Sequence, residues 1–248
     1  SGATGGGIVP EQLNDPDYCA TRYPYQVPER SYVMDDSAHV VVDHDDHLAD
    51  LAGRRPVLAV GSNMSPQQLG RKFPLGSIPV TRVHLHDFDT VFSTHFTSYG
   101  AIPATLFHSP GTVVTLFINW LNAEQEEHMH GTEIASENYQ FSRLNSLTMD
   151  IENAPALDHV YLYLSSRGAL SIDGNPVPML EASARNRRWQ AMGQDDIQAH
   201  ARTELAPEHT HDDFVRENIM DDEIRRTRTD RLHQSAVPFE YEFTERVR

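Results

Sequence analysis

The chain has 248 residues, of which 36 are acidic and 20 basic, and its formal net charge at pH 7 is −16. This acidity, with Lys72 as the single lysine, argues against binding to nucleic-acid backbones or to anionic lipid surfaces. Its 39% of hydrophobic residues suffices for one sizeable core, but no uninterrupted apolar stretch is long enough to cross a bilayer. Because Ser1-Gly2 shows no signal-peptide pattern and Cys19 has no second cysteine to pair with, we expect a cytoplasmic protein.

Residues 1–53 form an acidic N-terminal extension with ten acidic and two basic side chains. Residues 1–31 are rich in Gly, Pro, Asp and Tyr and show no sustained period, so we interpret them as an irregular arm. The apolar run Val40-Val41-Val42 indicates a short strand, and the acidic residues 43–47 indicate a short helix after it.

A strand, a turn and a capped helix follow one another from residue 56. The apolar run Val57–Val60 ends at Gly61 and is typical of a buried strand. Ser65 is a candidate N-cap, Pro66 suits the first helical position, and Gln68 is placed to complete a capping box.

The middle of the chain predicts a mixed or largely antiparallel sheet. The predicted strands are Val80–Leu85, Phe88–Ser93, Ala104–His108, Val113–Leu121, Tyr139–Leu147 and Val160–Ser165, with a turn at Ser109-Pro110-Gly111. Asn122 repeats the capping pattern and starts a short helix that we expect to end at Gly131, with Glu133 just beyond it.

The pattern after Pro178 changes to helix. Apolar residues between Met179 and Met192 recur roughly at helical spacing, and a second helix is predicted over 195–205. Residues 206–248 form a C-terminal extension with one predicted helix over 212–231, acidic in its first turn and basic in its last turns.

The histidines invite a metal interpretation that their spacing does not support. The pairs are His44 and His47, His84 and His86, His128 and His130, and His209 and His211. None has the i, i+4 spacing with an intervening glutamate that marks zinc peptidases, so we predict no metal and no other cofactor. Gly61-Ser62-Asn63 also lacks the second glycine of a nucleophile elbow, and Cys19 lies in the irregular arm.

Two other features can carry chemistry. The Gly61-Ser62-Asn63 turn joins a strand to a helix and can present several backbone N–H groups to a carboxylate or an oxyanion. It can equally be only a tight turn that Ser62 and Asn63 hydrogen-bond. Glu133 near apolar strands can act as a general base, or it can be an ordinary surface glutamate.

Four motifs in chain order resemble the gamma-glutamylcyclotransferase-like family, which includes gamma-glutamylamine cyclotransferase and the AIG2-like proteins. The motifs are the strand and turn from Val57 to Met64, Leu85-His86-Asp87-Phe88, the stretch from Ala104 to Gly111, and the helix from Leu121 to Glu133. The resemblance covers about residues 56–205 and defines a domain at 54–205 between the two extensions. It departs from the family's pattern at Val60, where a tyrosine is usual, and at Ile134, where a glycine is usual.

The resemblance implies an α+β fold, a mixed β-barrel with short flanking helices. It implies that Glu133 is the catalytic acid and base, and that a small anionic γ-glutamyl substrate cyclises to 5-oxoproline. The substrate-binding residues that it implies are Val60, Gly61, Ser62, Asn63, Met64 and Tyr139, with Tyr139 about one residue nearer to Glu133 than is usual. Arg71 and Lys72 follow the loop and are the charges that we expect near an anionic substrate.

Two other functions stay open. The departures at Val60 and Ile134 fit a non-catalytic binding or regulatory protein that keeps the pocket. A hydrolase or acyltransferase on the same scaffold is the third alternative. The extensions can cover the pocket, mediate homodimerisation or add specificity.

Overall fold

The computed structural model describes residues 11–35, 38–43, 46, 48, 50–73 and 76–248. The helices are α1 (Pro16–Thr21), α2 (Pro66–Lys72), α3 (Ala123–Glu133), α4 (Gln194–Leu205), α5 (His211–Met220) and α6 (Asp222–Leu232). The strands of the first half are β1 (Tyr32–Asp35), β2 (Ala38–Val41), β3 (Arg55–Ala59), β4 (Ser77–Phe92) and β5 (Ala104–Leu121). Those of the second half are β6 (Tyr139–Leu144), β7 (Met149–Ile151), β8 (Val160–Ser165), β9 (Ser171–Ile172), β10 (Asn175–Pro176), β11 (Ala184–Arg185) and β12 (Thr244–Arg246).

Most strands belong to a single mixed sheet, in the order β12-β6-β8-β3-β5-β4-β1-β2. Strand β7 also pairs with β4, and β11 pairs with β5. The pairing of β3 with β8 is parallel, and the other pairings are antiparallel. The expected mixed α+β architecture with short helices beside the sheet is therefore confirmed.

The four strands predicted between residues 80 and 121 are two long, bent strands. Strands β4 and β5 pair along most of their length, and the register shifts once, between His86 and Phe88. At this bulge Asp87 has a φ of 68° and its Oδ1 accepts the N–H of Gly111 at 2.8 Å. Residues 109–112 face the single residue Asp87 and have no pairing partner in β4. The predicted turn at residues 109–111 is therefore an excursion within β5, where Gly111 has a φ of 89°, and it does not separate two strands.

The N-terminal arm is more regular than its composition indicates. Asp15 caps α1 by accepting the N–H of Asp17 at 3.0 Å, and Pro16 starts the helix, which is the same signal that predicts α2 at residues 65 and 66. Strand β1 then pairs with β4, and the predicted strand at residues 40–42 corresponds to β2. The helix predicted over 43–47 includes residues that lie outside the described part of the chain.

Both extensions share the core of the central domain. The Tyr32 side chain in β1 is fully buried, and its hydroxyl donates to the carbonyl of Met64 at 2.7 Å. The ring of Phe214 in α5 packs edge-on against Phe96, with 5.9 Å between the ring centres. Strand β12 pairs with β6 at the other end of the sheet. The boundaries predicted at residues 53 and 205 thus lie within one continuous packing unit.

The helix predicted between Met179 and Met192 does not form. The guanidinium of Arg187 donates to the carbonyl of Met179 at 3.0 Å and to the carbonyl of Ala182, so these carbonyls are not used in a helical ladder. The segment instead contributes β11 and leads into α4, which confirms the second predicted helix.

The predicted C-terminal helix is two helices. Asp221 has an extended backbone, with a φ of −123° and a ψ of 105°, and its carboxylate accepts the N–H groups of Glu223 and Ile224. An N-cap of this kind starts a new helix, so α5 ends at Met220. Within the described residues, none of the helices combines the length and apolar character needed to cross a membrane.

Candidate functional site

The loop after β3 has the turn at Gly61 and the helix cap at Ser65 that the sequence predicts. A 3₁₀ turn over Ser62–Met64 follows Gly61, and Ser65 caps α2 by accepting the N–H of Gln67 at 3.2 Å. The predicted capping box is wrong, because Gln68 donates its amide to the hydroxyl of Ser62 at 3.3 Å rather than bonding back to the cap. This bond ties the first turn of α2 to the loop.

Glu133 is the last residue of α3, two residues beyond the predicted helix end. The helix begins with the expected capping box between Asn122 and Gln125, with both reciprocal hydrogen bonds formed. Only 16% of the Glu133 side chain is exposed, and its Oε1 accepts hydrogen bonds from Lys72 Nζ at 2.5 Å and Asn63 Nδ2 at 2.9 Å. Helix α3 therefore places the Glu133 side-chain carboxylate directly against the loop.

Lys72, at the end of α2, links the carboxylate and the loop. Its ammonium also donates to Asn63 Oδ1 at 2.9 Å, and 11% of its side chain is exposed. Asn63 is fixed in turn, because Asn119 on β5 donates to its carbonyl at 3.2 Å. Lys72, Asn63 and Glu133 thus form a closed triangle of hydrogen bonds, which we call the polar triangle.

The polar triangle lines a cavity of about 540 Å³, a volume typical of small-molecule sites. The predicted site residues on its wall are Val60, Gly61, Ser62, Asn63, Glu133 and Tyr139. Met64 is not part of that wall, and its side chain is fully buried. The Tyr139 hydroxyl donates its hydrogen to the carbonyl of Ala104 at 3.2 Å. The Tyr139 oxygen can therefore only accept a hydrogen bond from a ligand.

Both charges expected near the loop lie at the cavity, in different roles. Lys72 is paired with Glu133, whereas the guanidinium of Arg71 lies 5.6 Å from the centre of the Tyr99 ring. Among the described residues, no carboxylate lies within ion-pair distance of Arg71. Burial, reinforced by the negative charge of Glu133, raises the pKa of Tyr99 to about 12. The exposed Arg71 is thus the cation available to an anionic ligand.

Tyr23 carries no sequence signal of a site residue, yet the N-terminal arm places it against the loop. The Tyr23 oxygen accepts the N–H of Ser62 at 3.3 Å and the N–H of Ala104 at 3.1 Å. A Cβ on Gly61 would lie 1.9 Å from this oxygen. Since the φ of Gly61 is −142°, close approach of the phenol, rather than a left-handed backbone, requires glycine here. Burial raises the pKa of Tyr23 well above its ordinary value.

A second group without a sequence signal is His95, which lines the cavity although its side chain is buried. Its Nδ1 lies 2.9 Å from the hydroxyl of Ser93, which lies 2.7 Å from the hydroxyl of Ser165. Because Ser165 already accepts the N–H of Arg167 at 3.1 Å, its hydrogen can point to Ser93 and that of Ser93 to His95. Burial and the charge of Arg167 lower the pKa of His95 to about 3, so the ring is neutral.

The histidine pairs have separate partners. His84 bonds Thr115 and His86 bonds Asp150, each at 3.0 Å. His128 donates to the carbonyl of Lys72 at 2.7 Å, His130 lies 2.8 Å from the hydroxyl of Tyr163, and His209 lies 3.1 Å from Glu217. The pair at residues 44 and 47 lies outside the described residues. In the part of the chain that is described, no group of three or more His, Cys, Asp or Glu residues could hold a metal ion.

Cys19 is buried in the arm, and burial raises the pKa of its thiol. The thiol donates to the carbonyl of Leu13 at 3.2 Å. It is a packing residue of α1.

No protein-family model and no curated protein matches the chain. Among solved structures, the chain is similar to one named gamma-glutamyl cyclotransferase, at 16% identity and a TM-score of 0.36. A second similar structure is an uncharacterized protein from Homo sapiens, described by ensemble refinement of its crystal structure, at 15% identity and a TM-score of 0.36. Each alignment covers 76% of this chain and 91% of the other. These likenesses are distant.

Proposed function

We propose that the protein is a cyclotransferase that converts a small γ-glutamyl amine, peptide or amino acid into 5-oxoproline and a free amine. The observation that carries the proposal is the position of the Glu133 carboxylate, which Lys72 and Asn63 hold against the loop in the cavity wall. Both donors bond Oε1, and within the described residues nothing donates to Oε2. The second oxygen is thus available to a substrate. The ordered sequence motifs support the same reaction.

In this reaction Glu133 carries two protons, one after the other, from the attacking nitrogen to the leaving nitrogen. Its Oε2 takes a proton from the α-ammonium of the substrate, and the freed amine attacks the γ-carbonyl carbon to form a tetrahedral intermediate. The leaving nitrogen takes this proton from Glu133 as its bond to that carbon breaks. The attacking nitrogen, which still holds two hydrogens after the attack, gives one of them to Glu133, and the released amine takes that proton and departs as an ammonium. The new carbon–nitrogen bond closes the five-membered lactam. Because nucleophile and electrophile belong to one molecule, the cavity has mainly to hold the substrate in a folded conformation.

The charges around the cavity suit the α-carboxylate of a glutamyl group. Lys72 is committed to Glu133, so Arg71 is the cation we assign to the substrate carboxylate. The oxygen of Tyr139 can accept a hydrogen bond from the α-ammonium, since its own hydrogen is used by Ala104. A donor and an acceptor at separate positions orient the two charged groups of one amino-acid head.

The proposal is tested by replacing Glu133 with Gln. The amide keeps the size of the side chain but accepts no proton, so 5-oxoproline release from a panel of γ-glutamyl compounds should fall by about 10²-fold or more. Glu137→Gln is the matched control, because Glu137 is exposed and lies four residues further along the chain. Product is measured by chromatography of 5-oxoproline. Full activity of Glu133→Gln, or none in the unmodified protein, would contradict the proposal.

A non-catalytic binding protein is the rival function, and one observation favours it. The N–H of Ser62 and the ammonium of Lys72 already have partners within the protein, so the loop is satisfied without a substrate. Under this alternative the unmodified protein binds γ-glutamyl compounds in calorimetry but releases no 5-oxoproline from them.

A further inference from the structure

The hydroxyl of Tyr23 has a defined hydrogen-bonding state. It accepts two main-chain N–H groups, those of Ser62 and Ala104, at 3.3 and 3.1 Å. A phenolic oxygen that accepts two hydrogen bonds still has one hydrogen to donate. Among the described residues no atom accepts that hydrogen, although the Tyr23 side chain is only 4% exposed.

The cavity is the remaining destination for this hydrogen. Tyr23 is one of the residues that line it, together with the loop and Glu133. Hydrogen bonds in a chain strengthen one another, so a hydroxyl that accepts from two amides is a better donor than an isolated phenol. The raised pKa of Tyr23 keeps the proton on the oxygen at neutral and moderately alkaline pH.

The arm therefore changes the way in which the loop can stabilise negative charge. On the sequence alone, the N–H groups of residues 61–63 are candidates to bind an oxyanion directly. The N–H of Ser62 instead bonds the phenol, which occupies the space where a ligand oxygen would lie. The polarity of this amide reaches the cavity only through the Tyr23 hydroxyl.

We propose that Tyr23 is a catalytic residue that donates its hydroxyl hydrogen to the γ-carbonyl oxygen of the substrate and stabilises the oxyanion formed when the amine attacks. This inference rests on the proposed function. The hydrogen bond strengthens as charge develops on the carbonyl oxygen, so it acts on the transition state more than on the bound substrate. A residue of the N-terminal extension thereby completes the site of the central domain.

The first experiment compares Tyr23→Phe with Tyr25→Phe in 5-oxoproline release. Tyr25 is the matched control, because it is a buried tyrosine of the same arm whose hydroxyl donates to the carbonyl of Cys19 at 3.0 Å, away from the cavity wall. Loss of one oxyanion donor lowers kcat by about 10²–10³-fold, so this is the expected effect of Tyr23→Phe, with KM changed little. Tyr25→Phe should alter kcat by less than about threefold. Equal or higher kcat in Tyr23→Phe would overturn the proposal.

A second variant covers the case in which Tyr23→Phe does not fold. Site-specific incorporation of 3,5-difluorotyrosine at position 23 keeps the hydroxyl but lets it ionise at lower pH. A donor must keep its proton, so kcat of this protein should decline at an alkaline pH where the unmodified protein stays active. A pH profile identical to that of the unmodified protein would overturn the proposal.

Failure of the function and failure of the Tyr23 proposal give different results. If the unmodified protein and Tyr23→Phe release 5-oxoproline equally fast, the function stands and the role of Tyr23 is wrong. If neither releases it, the proposed function is wrong. The hydrogen bond from Tyr23 is then tested by calorimetric binding of 5-oxoproline, whose lactam carbonyl can accept the same hydroxyl hydrogen. Binding that weakens about tenfold in Tyr23→Phe supports the hydrogen bond, and equal or absent binding overturns it.

Discussion

At the scale of single residues, the site depends on one contact between a glycine and a tyrosine far apart in sequence. The Tyr23 oxygen lies 1.9 Å from the position that a Cβ of residue 61 would take, and the ring carbon that bears this oxygen lies 2.9 Å from the same position. Any side chain on residue 61 must therefore move the phenol, the loop or both. The conformation of the loop and the position of the arm are thus set by the same contact.

We expect Gly61→Ala to lower the free energy of unfolding by about 1–3 kcal/mol, because an overpacked contact has to be relieved. The same substitution in a Tyr23→Ala background should cost much less, with a coupling of about 1–3 kcal/mol between the two sites. Urea unfolding of the four proteins measures this cycle. Gly131→Ala is the control, since residue 131 is helical in α3 and nothing lies within 4 Å of the position that an added methyl group would take. Additive effects at residues 23 and 61 would contradict the contact.

The residues of the site differ in how far the sequence predicts them. The loop at 61–63 and Glu133 belong to motifs of the family resemblance, and the charges at 71 and 72 follow the loop directly. The structure brings all of them to one cavity. Tyr23 and His95 carry no such signal. Tyr23 reaches Ser62 across 39 positions, and the position of His95 depends on hydroxyls from two different strand ends. Contacts of this kind follow from tertiary packing, which local patterns do not encode.

At the scale of elements, the segment after Pro178 is held by a buried ion pair instead of by helical hydrogen bonds. Asp89 in β4 is fully buried, and its Oδ2 accepts from Arg187 Nε at 3.0 Å. Burial raises the pKa of the Asp89 carboxyl, and the guanidinium opposes this shift. Nη2 of Arg187 donates to the carbonyls of Met179 and Ala182. One side chain thus fixes the path of the segment across the sheet.

Asp89→Asn should lower the free energy of unfolding by about 2–4 kcal/mol, because it leaves the mostly buried Arg187 charge, with 15% of its side chain exposed, without its counterion. Chemical denaturation measures the loss. The matched control is Glu127→Gln, which removes the exposed ion pair with Arg248 and should leave stability unchanged. Equal stability of Asp89→Asn and the unmodified protein would contradict this account of the segment.

Local signals predict elements where hydrogen bonding is local and fail where it is not. The caps at Ser65 and Asn122 and the strand Val160–Ser165 are found where the sequence places them. The helix predicted over 179–192 is wrong because Arg187, within the segment, donates to the carbonyls of Met179 and Ala182. The position of Arg187 depends on Asp89, which lies 98 positions away in β4. The division of the predicted C-terminal helix at Asp221 is not visible in the sequence pattern, because the helical spacing of apolar residues continues across this N-cap.

At the scale of the whole molecule, folding encloses groups that would otherwise titrate. His95 is the clearest case, since it is 2% exposed and its pKa lies near 3 in the folded chain against about 6.5 for an exposed histidine. Between these two pH values the unfolded chain binds a proton that the folded chain does not. Stability therefore rises with pH in this interval and falls as the solution is acidified.

The variant His95→Asn should be less sensitive to acid than the unmodified protein. Asparagine can still hydrogen-bond Ser93 but does not titrate. Between pH 7 and pH 5 the unmodified protein should lose about 2 kcal/mol more unfolding free energy than the variant. Urea unfolding at the two pH values measures the difference, and parallel losses in both proteins would show that His95 is protonated in the folded chain.

The polar triangle also provides a spectroscopic reporter. Lys72 is the single lysine of the sequence, and its ammonium contacts both Glu133 and Asn63. Protein produced with lysine labelled by ¹⁵N at Nζ therefore gives one side-chain ammonium resonance, and that resonance comes from the candidate site. Titration of unlabelled carboxylic acids, amides or amines against this signal follows occupancy of the cavity without any change to the sequence.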